Sequence, residues 1–378
     1  MKTKRDIYCE YGFWEAFFEI ESQIIFDRTK RRLWDAFFVF LSSNNLFFDI
    51  PNQSVNSQTS GGKYLNELWQ TKGGAGILFI PKEFPKIKNI SDNDDNWLNS
   101  VYLTMLDTPT CKQLSEKFGI IVLNVSMIFD ADHIFHNCEV PFVRGSRSNW
   151  SFLFEIKAKC PSISCCNSLV VVDRFVLKDK KFVFRQNIKP IFDAFLPESL
   201  GNGVVFSICI VTEMKCVSIE DKLSKLEKMV KKLRPKLLFR LNIFTTDNIY
   251  NKDEFDDDNI HDRSILTNNV ILTTGVGFDI IDQSATPRRS TTSNLSFPFF
   301  TQVLQLNNNS KISYLSWIDS VLKEERKCRI YLENYWGEMT PKHHLLDYYY
   351  EEEPIKVLSK IHIDDEFSDL FRNACSRY

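Results

Sequence analysis

"NIHDRSILTNNVILTTGVGFDII", residues 259–281, decides how the second half of this chain is read. His261, Asp262 and Arg263 stand together, Asn268 and Asn269 follow as a pair, and Gly275 and Gly277 close the stretch before Phe278 and Asp279. The Gly-x-Gly turn falls between β-rich runs, and residues two apart on a strand project from the same face. His261 and Arg263 are therefore expected to project together from one face, as a catalytic histidine and a cation serving one phosphate would. The imidazole can attack phosphorus or carry the leaving-group proton, and the cation neutralises developing charge. The other reading of the same residues is a hydrogen-bonded strand end, in which Asp262 or Asp279 pairs Arg263 and His261 satisfies a backbone carbonyl.

Upstream, "SIEDKLSKLEKMVKKLRP" reads as a helix that starts at Ser218 with Asp221 three places on and stops at Pro235. Its apolar positions Leu223, Leu226, Met229, Val230 and Leu233 form one stripe, and "KLLFRLNIFT" follows as a strand. Before them come the apolar runs "SLVVVDRFVL", "KKFVFRQN" and "NGVVFSICIV". Downstream, "TPRRSTTSNLSF" (286–297) brings Arg288, Arg289 and a set of hydroxyls close to the motif, where with Gly275 and Gly277 they would line a ligand. The tail, 306–378, reads as a mainly helical, charged extension.

Turn-rich texture in "PFVRGSRSNW" and "CPSISCCNS" marks a boundary near 145–165. Residues 1–150 alternate helical aromatic patterns with short apolar strands: "LFFDIP", "GILFIP" and "IIVLNV", with "TPTCKQLSEKFG" a helix capped by Thr108 or Thr110 and stopped at Gly119. Such alternation predicts an α/β sandwich around a mainly parallel sheet. Glu10 ends an opening strand, and the later strands end near Asp49, Asp107 and Asp130. Acids gathered at strand ends are how PIN-like nucleases hold Mg²⁺, which wants several hard oxygens. The same acids serve equally as ordinary strand-end residues of an inert domain.

Other motifs carry less. His133, His136 and Cys138 with Cys160, Cys165 and Cys166 fit no standard zinc spacing. "TKGGAGILF" lacks the Gly-Lys-Ser/Thr of a phosphate loop. "RTKRR" (28–32) is a basic run on a helix, either touching phosphates or simply solvated, and "DEFDDDN" (253–259) is an acidic loop that would repel a polyanion.

Bulk properties bound these readings. A length of 378 residues suits two or three domains, and 43% hydrophobic with 25% charged residues matches an ordinary globular chain. A net charge of −2 gives no global pull towards nucleic acid, so such binding needs a local basic patch. Acids interrupt the N-terminal apolar stretch, no window approaches the roughly 18 apolar residues of a membrane span, and the ten Cys are irregularly spaced. A cytosolic chain with reduced thiols is expected.

His261, Arg263, Asn268 and Gly275 match, position by position, the His-x-Lys, four residues, Asp, six residues, Gly spacing of phospholipase D-type active sites. Arg replaces Lys, which preserves a phosphate clamp, and Asn replaces Asp, which removes a supporting carboxylate. Two such motifs normally face each other. None of His133, His136, His343, His344 or His362 starts a second copy, so a catalyst of this type would be a homodimer.

The stretch also resembles the phospholipase D-like C-terminal domain of microtubule-interacting-and-trafficking proteins and its bacterial relatives. They share His-Asp-Arg, Asn-Asn and Gly-x-Gly, then an apolar residue and Asp, here residues 261–263, 268–269, 275, 277, 278 and 279. The resemblance covers about 165–305. It implies a phospholipase D-like α/β domain. The family's eukaryotic members are non-enzymatic membrane-binding modules and its bacterial members accompany defence genes, so the resemblance further implies either metal-independent phosphodiester chemistry on nucleic acid or another phosphate-bearing ligand in bacterial defence, or a non-enzymatic interaction or sensor module of a larger antiphage complex. With the N-terminal domain as a nuclease, Mg²⁺ would be the cofactor; phospholipase D-type chemistry requires none.

Overall fold

Thirteen strands and eight α-helices build two sheets in a computed structural model that describes residues 6–89, 100–130, 138–159, 165–173, 176, 183–201, 204–213, 219–246, 263–267, 269–296 and 356–362. In the N-terminal part the order is β1 (Asp6–Cys9), α1 (Tyr11–Glu21), α2 (Arg28–Ser43), β2 (Asn45–Phe48), α3 (Ser60–Thr71), β3 (Ile77–Phe79), β4 (Val101–Leu103), α4 (Thr108–Phe118), β5 (Ile121–Leu123) and α5 (Val125–Asp130). The sheet they form is wholly parallel, in the order β3-β2-β1-β4-β5. Such a sheet is buried by helices, and its strands are accordingly apolar on both faces: Val101, Tyr102 and Leu103 are all buried, as are Ile121, Val122 and Leu123.

Local sequence sets the helix limits. The aromatic stretch that reads as continuous helical periodicity is two helices, because the Asp27 carboxylate accepts the N–H groups of Thr29 and Lys30 and starts α2 afresh. Asp107, not Thr108 or Thr110, caps α4: its carboxylate accepts the Thr110 N–H at 2.8 Å. Gly119, at φ 65° and ψ 37°, ends that helix in the left-handed region. The many phenylalanines stack into the core, where Phe13, Trp14, Phe17, Phe18, Trp34 and Phe37 are buried and the rings of Phe17 and Trp34 lie parallel, 5.2 Å apart.

The second sheet contains β6 (Cys138–Phe142), β7 (Ser168–Val172), β8 (Phe206–Glu213), β9 (Phe239–Thr246), β10 (Arg263–Thr267), β11 (Ile271–Thr274), β12 (Thr291–Ser296) and β13 (Lys356–His362). Around it are α6 (Phe152–Lys159), α7 (Lys189–Phe195) and α8 (Ile219–Leu233). Its order is β13-β9-β8-β7-β10-β11-β12-β6; β7, β8 and β9 are parallel, and every other neighbouring pair is antiparallel. The architecture is thus mixed α/β. Of the stripe read from its sequence α8 buries Leu223, Leu226 and Val230, and Met229 and Leu233 pack against the same core partly buried.

Val183–Ile188, within "KKFVFRQN", winds into a wide π-type turn that leads into α7. Two features depart from the sequence reading. β6 lies before the expected boundary yet is an edge strand of the second sheet, paired with β12. Within the tail expected to be mainly helical, Lys356–His362 is a strand antiparallel to β9. Val357, Leu358 and Ile361 are spaced as on a helix while two of them are β-branched and suit a strand, and the open edge of β9 supplies the hydrogen bonds that decide it.

The two sheets meet where α4 ends. Gly201 N–H donates to Lys117 O at 2.6 Å, Asn167 Nδ2 donates to Phe118 O at 3.3 Å, and the Gly119 Cα approaches the Cys166 carbonyl so closely that a Cβ has no room. No helix among the described residues is long and apolar enough to cross a membrane.

Candidate functional site at the edge of the second sheet

Strand direction gathers the motif. β7 and β10 run antiparallel with Ser264 opposite Val172, and β10 and β11 run antiparallel with Arg263 opposite Thr274. The C-terminal end of β7, the N-terminal end of β10 and the C-terminal end of β11 therefore share one edge of the sheet. On that edge stand Asp173, Arg263 and the turn that begins at Gly275. The open, carboxyl ends of parallel strands are where α/β sheets habitually place their ligands.

Asp173 organises this edge. It is 1% exposed, its Oδ2 accepts the Phe278 N–H at 2.6 Å, and its Oδ1 lies 4.0 Å from Arg263 Nε. A carboxylate taken this far out of water must be matched by a cation and hydrogen bonds, and here it has both. The same contact crowds Gly277: a Cβ there would stand 3.0 Å from Asp173 Oδ2, which would have to give by a few tenths of an ångström. Gly275 is exposed and Gly277 buried, so the two glycines have different work, the first at the surface of the turn and the second beneath it against Asp173.

Arg288 and Arg289 reach the same turn. Arg288 Nη1 lies 2.8 Å from Asp279 Oδ2 and Arg289 Nη2 lies 2.9 Å from Asp279 Oδ1, while Arg288 N–H donates to Ile280 O. Of the two acids read as partners of Arg263, Asp279 holds these two arginines, and Asp262 lies outside the described residues. Behind the turn the buried Asn187 acts as a clip: its Oδ1 accepts from Trp150 Nε1 and Ile281 N, and its Nδ2 donates to Ile281 O.

His261 and Asn268 lie outside the described residues. Their neighbours are placed. Arg263 opens β10, and Thr267 and Asn269 form the turn at the other end of that strand, where Thr267 Oγ1 accepts the N–H groups of Asn269 and Val270 and Asn269 Nδ2 donates to Cys165 O. Five residues of strand, about 13 Å at 3.3 Å per step, separate that turn from Arg263.

The acids of the first sheet also lie at strand ends, but each described one has a local task. Glu10 follows β1 and its Oε2 accepts the Met105 N–H at 2.7 Å; Asp49 follows β2 and its Oδ1 accepts the Tyr11 N–H at 2.8 Å. Asp107 caps α4, and its hydrogen bonds from Thr110 hold its carboxyl below the ordinary value. Asp130 belongs to no strand end: it is the last residue of α5, and its side chain lies outside the described set. The residue that follows β5 is Asn124, whose Oδ1 accepts from Met127 N and Ser126 Oγ to start α5. Cys9 lies beneath Asp49 and Glu10, and burial first, then those two charges, push its thiol well above the usual range. Among the described residues no group of three His, Cys, Asp or Glu is placed to hold a metal ion.

Of the zinc candidates, His133, His136 and Cys160 lie outside the described residues, as does the Cys138 side chain, and Cys165 and Cys166 are buried free thiols. In the basic run Arg31 is turned inward to Glu21 and Asp35, at 2.8 and 3.1 Å. Sequence reasoning missed Asp173 and Asn187. Asp173 had a readable signal, a lone acid closing the apolar run "SLVVV"; Asn187 had none.

No family model and no curated protein matches the chain. Among solved structures, the polyphosphate kinase of Porphyromonas gingivalis is similar over 45% of this chain and 25% of that one, at 7% identity and a TM-score of 0.22, a likeness too slight to identify the fold.

Proposed function

We propose that the edge of the second sheet is a phosphoester site of phospholipase D type, acting on nucleic acid or another phosphate-bearing ligand in bacterial defence. The observation that carries this reading is the register of β10, which stands Arg263 beside Asp173 at the Gly275–Gly277 turn. In it, His261, two residues before Arg263, is the nucleophile or proton carrier, and Arg263 is the phosphate clamp. Asp173, 4.0 Å from its Nε, is the fixed countercharge of that guanidinium, whose planar fork suits phosphate oxygens. The Gly275–Gly277 turn lets a ligand approach the backbone, and Arg288 and Arg289 form the outer cationic rim. Asn268 then acts through the β10–β11 turn and not at the phosphate. With one motif per chain, a homodimer supplies the second histidine.

The test is incubation with labelled single- and double-stranded DNA and RNA, with and without EDTA, beside His261→Ala and Glu10→Ala. Metal-independent cleavage lost only in His261→Ala supports the proposal. Chelator-sensitive cleavage lost in Glu10→Ala transfers the chemistry to the first sheet, with Mg²⁺ as cofactor.

A specific observation favours a second reading, a non-enzymatic interaction module within a protein complex. Every described arginine of this edge is matched by a carboxylate, Arg263 by Asp173 and Arg288 and Arg289 by Asp279. Absence of cleavage from every substrate, with the oligonucleotides still unbound at low salt, selects that reading.

A further inference from the structure

The turn between α1 and α2 carries an apolar tip. Phe26 is 100% exposed and Ile25 beside it is 57% exposed. The tip is held out by an anchored turn. Ile24 is buried, the Gln23 and Ile24 N–H groups donate to Ile20 O, Asp27 N–H donates to Ile24 O at 2.9 Å, and the Asp27 carboxylate caps α2. Two large apolar side chains held in water by such a turn are a standing cost that a buried contact would recover.

Cations flank the tip. Arg28, Lys30 and Arg32 are exposed, and Arg28 and Arg32, one helical turn apart, share a face of α2. The nearby acids are engaged elsewhere: Asp27 in its cap with Lys30 Nζ at 4.0 Å, and Glu21 and Asp35 with Arg31, whose guanidinium also lies over the Trp34 ring. Among the described residues neither Arg28 nor Arg32 has a carboxylate within ion-pair distance.

We infer that this turn is a shallow membrane-docking tip whose partner is an anionic phospholipid surface. Phe26 and Ile25 enter the boundary between headgroups and acyl chains, and Arg28, Lys30 and Arg32 meet headgroup phosphates. Apolar residues beside a basic helical face are the composition of interfacial anchors. Single-stranded nucleic acid is recognised instead by successive aromatic faces along a groove. Ile25 has no such face, and a ring exposed on every side lines no groove. One tip of this size anchors weakly, so binding gains from any pairing of chains. The inference does not rest on the phosphoester reading, since it uses only residues of α1, α2 and their turn.

The experiment is co-sedimentation of the full-length chain with vesicles of phosphatidylcholine alone or mixed in equal parts with phosphatidylglycerol, at low and high salt. Binding is expected to the mixed vesicles only, and to fall as salt screens the cations. Ile25→Ser with Phe26→Ser lowers the partition coefficient about tenfold or more. Arg28→Ser with Arg32→Ser lowers it by a similar factor on mixed vesicles. Because the tip side chains are exposed, the Ser variants keep the thermal midpoint of the unaltered chain. The inference is overturned by absence of sedimentation, by equal binding to neutral vesicles, or by Ser variants that bind as well as the parent. It is likewise overturned if a labelled oligonucleotide, and no vesicle, is retained by the chain and lost in the Ser variants.

Discussion

Replacing Asp173 tests whether one carboxylate holds the motif edge together. Asp173→Ala removes the acceptor of the buried Phe278 N–H and the anion 4.0 Å from Arg263, whose side chain is only 14% exposed. An unsatisfied buried N–H costs about 1–3 kcal/mol, and breaking a buried ion pair by deleting one partner costs about 3–5 kcal/mol. Both losses come from the same carboxylate and overlap, and the ion-pair contact is long, so the total expected is about 3–5 kcal/mol. Asp173→Asn keeps an acceptor for Phe278 and loses only the charge, and should cost about half as much. Hydrogen exchange reads the effect locally: in Asp173→Ala the peptide spanning 275–281 should exchange about a hundredfold faster or more. Gly277→Ala supplies an internal control, because its Cβ would meet Asp173 Oδ2 at 3.0 Å. In the unaltered chain the substitution forces a shift; in the Asp173→Ala background the obstacle is gone, so the two changes should couple by about 1 kcal/mol or more. Additive effects, with exchange of 275–281 unchanged in Asp173→Ala, would refute the role assigned to this residue.

Gly119→Ala combines a left-handed backbone, φ 65°, with a Cβ that meets the Cys166 carbonyl, a backbone atom unable to turn aside; urea unfolding should show a loss of about 3 kcal/mol or more at the junction of the two sheets. Arg288→Ala with Arg289→Ala breaks two partly exposed ion pairs to Asp279 and should change stability by less than about 1 kcal/mol. If that rim meets phosphates, the same double variant lowers the salt slope of oligonucleotide binding by about two, and an unchanged slope removes the rim from the site. Burial, then Asp107 and Glu10, raise the Cys111 thiol from 9.0 to about 11. At pH 8 only about one such thiol in a thousand is ionised, so alkylation should be slow in the folded chain and fast in urea. Since the folded value lies above the unfolded one, the stabilising contribution is complete below pH 9 and declines as pH rises towards 11. Fast alkylation at pH 8 would contradict this burial.

Much of the fold was legible because local signals and tertiary context agree. "LFFDIP", "GILFIP" and "IIVLNV" are short apolar runs with turn residues around them, and they supply β2, β3 and β5 of one parallel sheet. The α8 stripe read from spacing is the buried face of the helix. Where reading failed, the deciding partner was distant in sequence or the signal was shared by two structures. Thr108 and Asp107 are both good caps, and only the backbone direction at Asp107 makes it the residue before the first turn. Lys356–His362 follows a charged helical pattern but pairs with β9, more than a hundred residues away. Asp130 sits after an apolar run, yet Asn124 had already turned the chain into α5.

The candidate site shows the same limit more sharply. Within 259–281 the sequence displays a cation, two glycines and an acid at suggestive spacing, and the natural inference pairs Arg263 with an acid of its own segment. Asp279 is four residues past Gly275, yet it faces outward to Arg288 and Arg289. Among the described residues the acid near Arg263 comes from the end of β7, 90 positions earlier, and reaches it because β10 runs back along β7 with Ser264 opposite Val172. A residue that is 1% exposed and charged has few reasons to stand at the end of an apolar strand. Pairing a half-buried arginine is one, and stapling a glycine turn is another, and Asp173 does both. That double task puts the Asp173 carboxylate tight against Gly277, and it makes the pair Asp173 and Gly277 a more discriminating probe of this site than any residue of the histidine motif taken alone.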